Sequence, residues 1–172
     1  MDLAAYFAGF VDGEGCFTVS FSPRSKLLIG WEVRPSFSVS QNADRSQVLV
    51  LMQEYFNCGS IRPDRSDRTV KFEVRRLDDL IERVIPFFEA NPLLSSKQRD
   101  FERFAAVCRL MRSGAHRTNA GLRAIVDLAM AMNASGKRKF AVDAVVPAEV
   151  EVIVSAISND GVKRSSDPHE WR

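Results

Sequence analysis

Leu3-Ala4-Ala5-Tyr6-Phe7-Ala8-Gly9-Phe10-Val11-Asp12-Gly13-Glu14-Gly15-Cys16-Phe17 is the stretch on which the reading of this 172-residue chain turns. Asp2 offers a helix N-cap, and good helix formers follow it. The helix is expected to end at Gly13 or Gly15, because glycine tolerates the left-handed conformation that closes helices. An alternating run begins at Phe17, so the helix feeds a strand. Ala5, Ala8 and Gly9, with Asp12 and Gly13, share one side at spacings of three and four. Side chains that small let another backbone come close. Asp12 and Glu14 crowd the partially negative C-terminal end, where each carboxylate costs roughly 0.3–1 kcal/mol. A positive group should compensate, and a divalent cation is the simplest candidate.

With 45% hydrophobic residues the chain has enough core for one globular domain, expected over 1–157, with a polar tail, 158–172, expected to be disordered. Its 24 Lys+Arg stand against 22 Asp+Glu, so net charge alone does not announce nucleic-acid binding. The placement of the bases is more telling, since Arg62, Arg65, Arg68, Lys71, Arg75 and Arg76 fall within fifteen residues. Cys16, Cys58 and Cys108 are too few and too scattered for a disulfide framework or a zinc site, which points to a reducing compartment. No signal peptide or membrane-length apolar run is visible, so a cytoplasmic protein is expected, nucleoid-associated or in an organellar matrix, and not secreted.

Two hairpins follow the opening helix. In the first, Phe17, Val19 and Phe21 face Trp31, Val33, Pro35, Phe37 and Val39 on an apolar side, with Pro35 suggesting an edge strand or a bulge. A helix over 44–56, with Asp44 as its cap, carries Val48, Leu49, Leu51, Met52, Tyr55 and Phe56. The second hairpin joins 60–63 to 69–75. A helix over 77–90 is expected to break near Pro86. Ser95 or Ser96 caps the next helix, and Thr118 or Asn119 starts another to about Met132. A basic run at 137–139 and one more helix over 147–157 complete the expected elements. The order is α+β: an antiparallel sheet with helices on one face.

The run Tyr6-Phe7-Ala8-Gly9-Phe10-Val11-Asp12-Gly13-Glu14-Gly15 resembles the signature of the LAGLIDADG homing endonucleases. The αββαββα order with further C-terminal helices resembles that family's half-site, from about Leu3 to Met132. The resemblance implies a saddle-like sheet that holds double-stranded DNA. It also implies an intron-encoded enzyme that makes a staggered double-strand break with 3′ overhangs in a long pseudo-palindromic site, by metal-dependent phosphodiester hydrolysis. Glu14 stands at the family's metal-binding acid, with the Gly13 carbonyl beside it. Mg²⁺ is the expected ion; Mn²⁺ or Ca²⁺ can occupy the same position, Ca²⁺ without supporting cleavage. Gln41, Arg45 and Lys97 stand where the family has a polar residue near the attacking water, a base near the scissile phosphate and a lysine.

The sheet face that helices leave open is expected to touch DNA. It carries Ser20, Ser22, Arg24, Lys26, Glu32, Arg34, Ser36, Ser38 and Ser40 from the first hairpin. The second adds Arg62, Arg65, Arg68, Lys71, Glu73 and Arg75. A two-stranded ribbon fits a major groove, arginine and lysine take guanine edges or phosphates, and glutamate accepts from cytosine. The chain holds one copy of the signature and a double-strand break needs two reactive centres. A homodimer is therefore expected, packed through Ala5, Ala8, Gly9 and Asp12. An intron RNA maturase and a non-cleaving DNA-binding regulator on the same scaffold remain the alternatives, with an unrelated α+β binding module behind them.

Overall fold

The computed structural model describes residues 2–63, 68–133 and 145. Asp2 caps the first helix, α1 (Leu3–Glu14), accepting from the N–H groups of Ala4 and Ala5 at 2.9 and 3.2 Å. At the other end the structure corrects the expected reason for glycine. Gly15 is extended, with φ −80° and ψ 158°, so no left-handed closure occurs. Close packing demands it instead: a Cβ there would lie 2.5 Å from Val11 Cγ1 and 2.8 Å from the Val11 carbonyl oxygen.

Four antiparallel strands follow: β1 (Gly15–Pro23), β2 (Trp31–Asn42), β3 (Ser60–Pro63) and β4 (Thr69–Val74), in the order β1-β2-β4-β3. The β1–β2 pairing runs from Gly15↔Val39 to Pro23↔Trp31. Lys26 sits in the connecting turn, where Gly30 adopts φ 73°, a conformation that favours glycine. Pro35 lies in an inner strand rather than at the edge of the whole sheet. Yet β4 pairs with β2 only from Phe37 to Asn42, so β2 has a partner on one side alone where proline lacks its N–H.

Helix α2 (Gln47–Phe56) starts later than Asp44, because a 3₁₀ turn (Ala43–Arg45) intervenes and Ser46 occupies the cap position. Val48, Leu49, Met52 and Phe56 are buried, whereas Leu51 and Tyr55, expected in the same stripe, are exposed. The helical stretch at Pro86 does not break. It passes through α3 (Leu77–Asp79), a π turn (Leu80–Val84) and α4 (Ile85–Ala90). Proline cannot donate to the usual carbonyl four residues back, and the wider π turn absorbs that loss. Helices α5 (Lys97–Arg112) and α6 (Asn119–Met130) follow, the second capped by Thr118, which accepts from Gly121 N–H at 3.1 Å. The run 137–139, the helix expected over 147–157 and the tail 158–172 lie outside the described residues, as does Arg65.

Phenylalanine dominates the main core. Phe17, Phe37, Phe72, Phe88 and Phe104 are all 0–1% exposed. Ring centroids of Phe17–Phe37, Phe17–Phe88 and Phe37–Phe88 lie 5.2, 5.4 and 5.4 Å apart. These contacts, with Phe17–Phe101 at 5.4 Å and Phe17–Phe104 at 5.3 Å, bolt α4 and α5 to the middle of the sheet. A second cluster, built on Val33, Val107, Leu122, Ile125 and Val126, props the outer half of the first hairpin against α5 and α6. Both clusters load one face of the sheet, and no described helix covers the other.

Candidate nucleic-acid interface and acid site

The end of α1 is tied to the start of α5. The Asp12 carboxylate accepts from Leu94 N–H at 3.2 Å, from Ser95 N–H at 3.0 Å and from the Ser95 hydroxyl. That hydroxyl in turn accepts from Lys97 N–H at 3.1 Å, so Ser95 links the two helix ends. The Ser95 hydroxyl, aided by the two backbone N–H groups and Lys97, holds the Asp12 carboxyl below the usual aspartate range against a modest desolvation. A depressed carboxyl pKa contributes stability that is complete above the unfolded value and lost as pH falls through the folded one. In acid titrations of thermal stability, Asp12→Asn is expected to flatten the decline below about pH 4. Superimposable acid limbs would remove Asp12 as a clamp.

Lys97 supplies the positive group that two acids at a helix C-terminus call for. Its Nζ donates to the Val11 carbonyl at 2.9 Å and to the Gly13 carbonyl at 3.3 Å. Part of the compensation assigned to a divalent cation thus comes from the chain itself. Desolvation lowers the Lys97 pKa, while Asp12, Cys16, Glu14 and Asp100 pull it back up. Its place at the N-terminal end of α5, unfavourable to that helix, is favourable to α1. Lys97→Met keeps the apolar stem and loses both bonds. Urea unfolding is expected to show a loss of about 1–2 kcal/mol, the lower part of the range for charged hydrogen bonds, because Lys97 is partly exposed. An unchanged midpoint would contradict the link.

Glu14, one step beyond, is exposed and makes no hydrogen bond or ion pair among the described residues. It lines an open groove of ≈ 560 Å³ on the helix-free face. Ser20, Glu32, Arg34, Ser36, Ser38, Ser40, Lys71, Glu73 and Arg75 line the same groove, with Cys16 and Thr18. Ser22, Arg24 and Lys26 continue along β1 toward the turn, Arg62 sits on β3, and Arg68 lies just before β4. Glu14 and the Gly13 carbonyl are hard oxygen donors of the kind Mg²⁺ takes, and that ion keeps several waters and accepts phosphate oxygens. The donor set therefore fits the ion but is incomplete. Among the described residues no three His, Cys, Asp or Glu side chains gather to hold one.

The two remaining residues singled out by resemblance stand apart from this cluster. Gln41, near the end of β2, turns its Oε1 to Asn42 N–H at 3.2 Å. Arg45 is exposed in the 3₁₀ turn with only a 3.8 Å approach to Asp44. Of the expected dimer seam, Ala5 and Gly9 are open to solvent, Ala8 is 8% exposed and turned into the core, and Asp12 is engaged by Leu94 and Ser95. Gly13 joins the open side. A Cβ added at Gly9 or Gly13 would meet nothing within 4 Å among the described residues beyond the local backbone of α1.

Ser95 escaped the sequence reading as a partner of Asp12, since no local spacing reveals a contact across 83 residues. The arginine tethers escaped it too. Glu32 accepts from Arg24 and Arg34, each at 2.7 Å, and these two guanidinium groups hold its carboxyl below the usual range. Glu73 accepts from Arg62 at 2.7 Å, Arg75 at 3.0 Å and the Ser36 hydroxyl at 3.0 Å. Opposite charges alternating on facing strands are the available signal, but reading it requires the register.

Residues 7–108 match the family model described as LAGLIDADG endonuclease. A probable intron-encoded endonuclease of Neurospora crassa is 32% identical over 130 residues, which cover 75% of this chain and 29% of that protein. The chain spans about a quarter to a third of the length of such curated relatives. The crystal structure of the homing endonuclease I-TnaI superposes with a TM-score of 0.73 and 37% identity, over 77% of this chain and 90% of that one. I-SmaMI bound to uncleaved DNA with calcium ions superposes with a TM-score of 0.78 and 29% identity, over 84% of this chain and 49% of that one. A matched segment that runs from the opening helix into α5, on a fold that superposes on homing endonucleases, makes this chain a member of the LAGLIDADG endonuclease family.

Proposed function

We propose that this chain is a site-specific DNA endonuclease that works as a homodimer and cuts both strands of a pseudo-palindromic duplex. The observation that carries the reading is Glu14: an exposed carboxylate with no hydrogen bond or ion pair among the described residues, lining a groove with arginine, lysine, serine and the tethered Glu32 and Glu73. Glu14 and the Gly13 carbonyl would hold Mg²⁺, which supplies Lewis acidity at the phosphoryl oxygen and lowers the pKa of a bound water. Lys97 keeps positive charge at the end of α1, so the site stays receptive to phosphate. Gln41 and Arg45 are candidates to orient water and phosphate once DNA is seated. One chain carries one copy of the signature and so provides half of this arrangement, and a second copy of the chain would supply the other half.

The test is cleavage of a plasmid library carrying randomised duplex inserts, with Mg²⁺ or with EDTA. Recovered sites are expected to be broken on both strands, with 3′ overhangs, only when Mg²⁺ is present. Selective duplex binding without a break would favour a regulator, and selective binding of structured RNA would favour a maturase. Either result would overturn the nuclease reading.

A further inference from the structure

Glu73 is an unusual residue for an open sheet face. It is 8% exposed, yet it lies on the side that no described helix covers. Register explains its burial. Glu73 sits across from Ser38 on β2 and from Ser60 on β3, while Ser36 and Arg62 are its diagonal neighbours. Arg62 and Arg75 close over it, with side chains 52% and 64% exposed, and Ser36 fixes the second oxygen. A carboxylate in such a place offsets two positive charges with one negative charge, which lowers general attraction to phosphate. Stronger duplex binding would follow from an apolar or neutral residue, so affinity alone does not account for a glutamate there.

Geometry gives it another role. Arg75 uses Nε for the tether, and Arg62 uses Nη2. Among the described residues, the Nη edge of Arg75 and the rest of the Arg62 fork make no further hydrogen bond or ion pair, which leaves them as donors. An arginine fork pre-aimed in this way suits bidentate recognition of guanine O6 and N7, whereas a free one settles on whichever phosphate is nearest. We infer that Glu73 is a specificity-determining positioning residue: it holds Arg62 and Arg75 off the phosphates and aims both at guanine edges in the major groove, with Ser36 setting its own rotamer. The inference rests on the DNA-binding reading of this face.

The experiment is selection of bound duplexes from a randomised library by the full chain and by Glu73→Gln, Arg62→Ala, Arg75→Ala and Ser36→Ala. The arginine variants locate the base pairs that each side chain reads. Glu73→Gln is expected to flatten the guanine preference at those same positions by about tenfold or more, leaving the others intact. It should also tighten binding to an arbitrary duplex and steepen the fall of log K with log salt by about one unit. Ser36→Ala, which keeps the carboxylate, should produce the same flattening in weaker form and serves if Glu73→Gln fails to fold. A structural ion pair would change melting temperature and leave the recovered consensus alone, and that result overturns the inference. If Arg62→Ala and Arg75→Ala themselves leave both binding and consensus unchanged, the reading of the face fails instead, and the two failures are distinct.

Discussion

Glu14→Gln is expected to lower the rate of double-strand cleavage by at least about 10²-fold, the scale on which a single electrostatic stabiliser of a transition state acts. Duplex binding should survive, measured by mobility shift in Ca²⁺. The substitution keeps the size of the side chain and one acceptor oxygen but removes the charge that a hard cation needs. Fold is not at stake, since Glu14 is exposed and makes no hydrogen bond among the described residues. Full activity in the variant would move the chemistry elsewhere. Loss of both binding and cleavage would also count against the assignment, because the groove bases and not Glu14 are asked to hold the duplex.

Gly9→Leu should separate folding from assembly even more sharply. Glycine within a helix costs roughly 0.8–1 kcal/mol relative to alanine, and leucine is nearly as good a helix former as alanine. Among the described residues, nothing outside the local backbone of α1 lies within 4 Å of a Cβ at position 9, so none of them gives a packing reason for glycine there. The variant is therefore expected to melt higher as an isolated subunit. A partner helix seated against the open side of α1, where Ala5 and Gly13 also lie, would meet the new side chain head-on. Light scattering should show a dimer for the parent and a monomer for the variant, and cleavage should vanish with the dimer. A variant that is more stable, still dimeric and still active would exclude this side of α1 as the seam.

The two expectations depend on features of different visibility. α1 was legible because everything that defines it is local: a cap at Asp2, helix formers, and small residues at helical spacing. The hairpins were legible for the same reason, since alternation of Phe17, Val19 and Phe21 or of Val70, Phe72 and Val74 states which side is wet. Errors arose where a longer-range demand outweighed a local preference. Asp44 looked like a cap, yet the chain spends 43–45 in a 3₁₀ turn before α2 begins. Gly15 looked like a left-handed stop and is instead a place where Val11 leaves no room for a Cβ.

The site divides along the same line. Sequence alone determined the helix–hairpin–helix–hairpin order, the acid at the end of α1 and the polar character of the open sheet face, because periodicity and composition are written residue by residue. Only tertiary structure decided that Asp12 is engaged by Ser95, that Lys97 serves the far end of a different helix, and that Glu32 and Glu73 already hold the arginines beside them. The pairings Arg24–Glu32, Arg62–Glu73, Ser95–Asp12 and Lys97–Val11 join residues 8 to 86 positions apart. They depend on strand register and on how α5 lies against α1, and no local pattern carries either quantity.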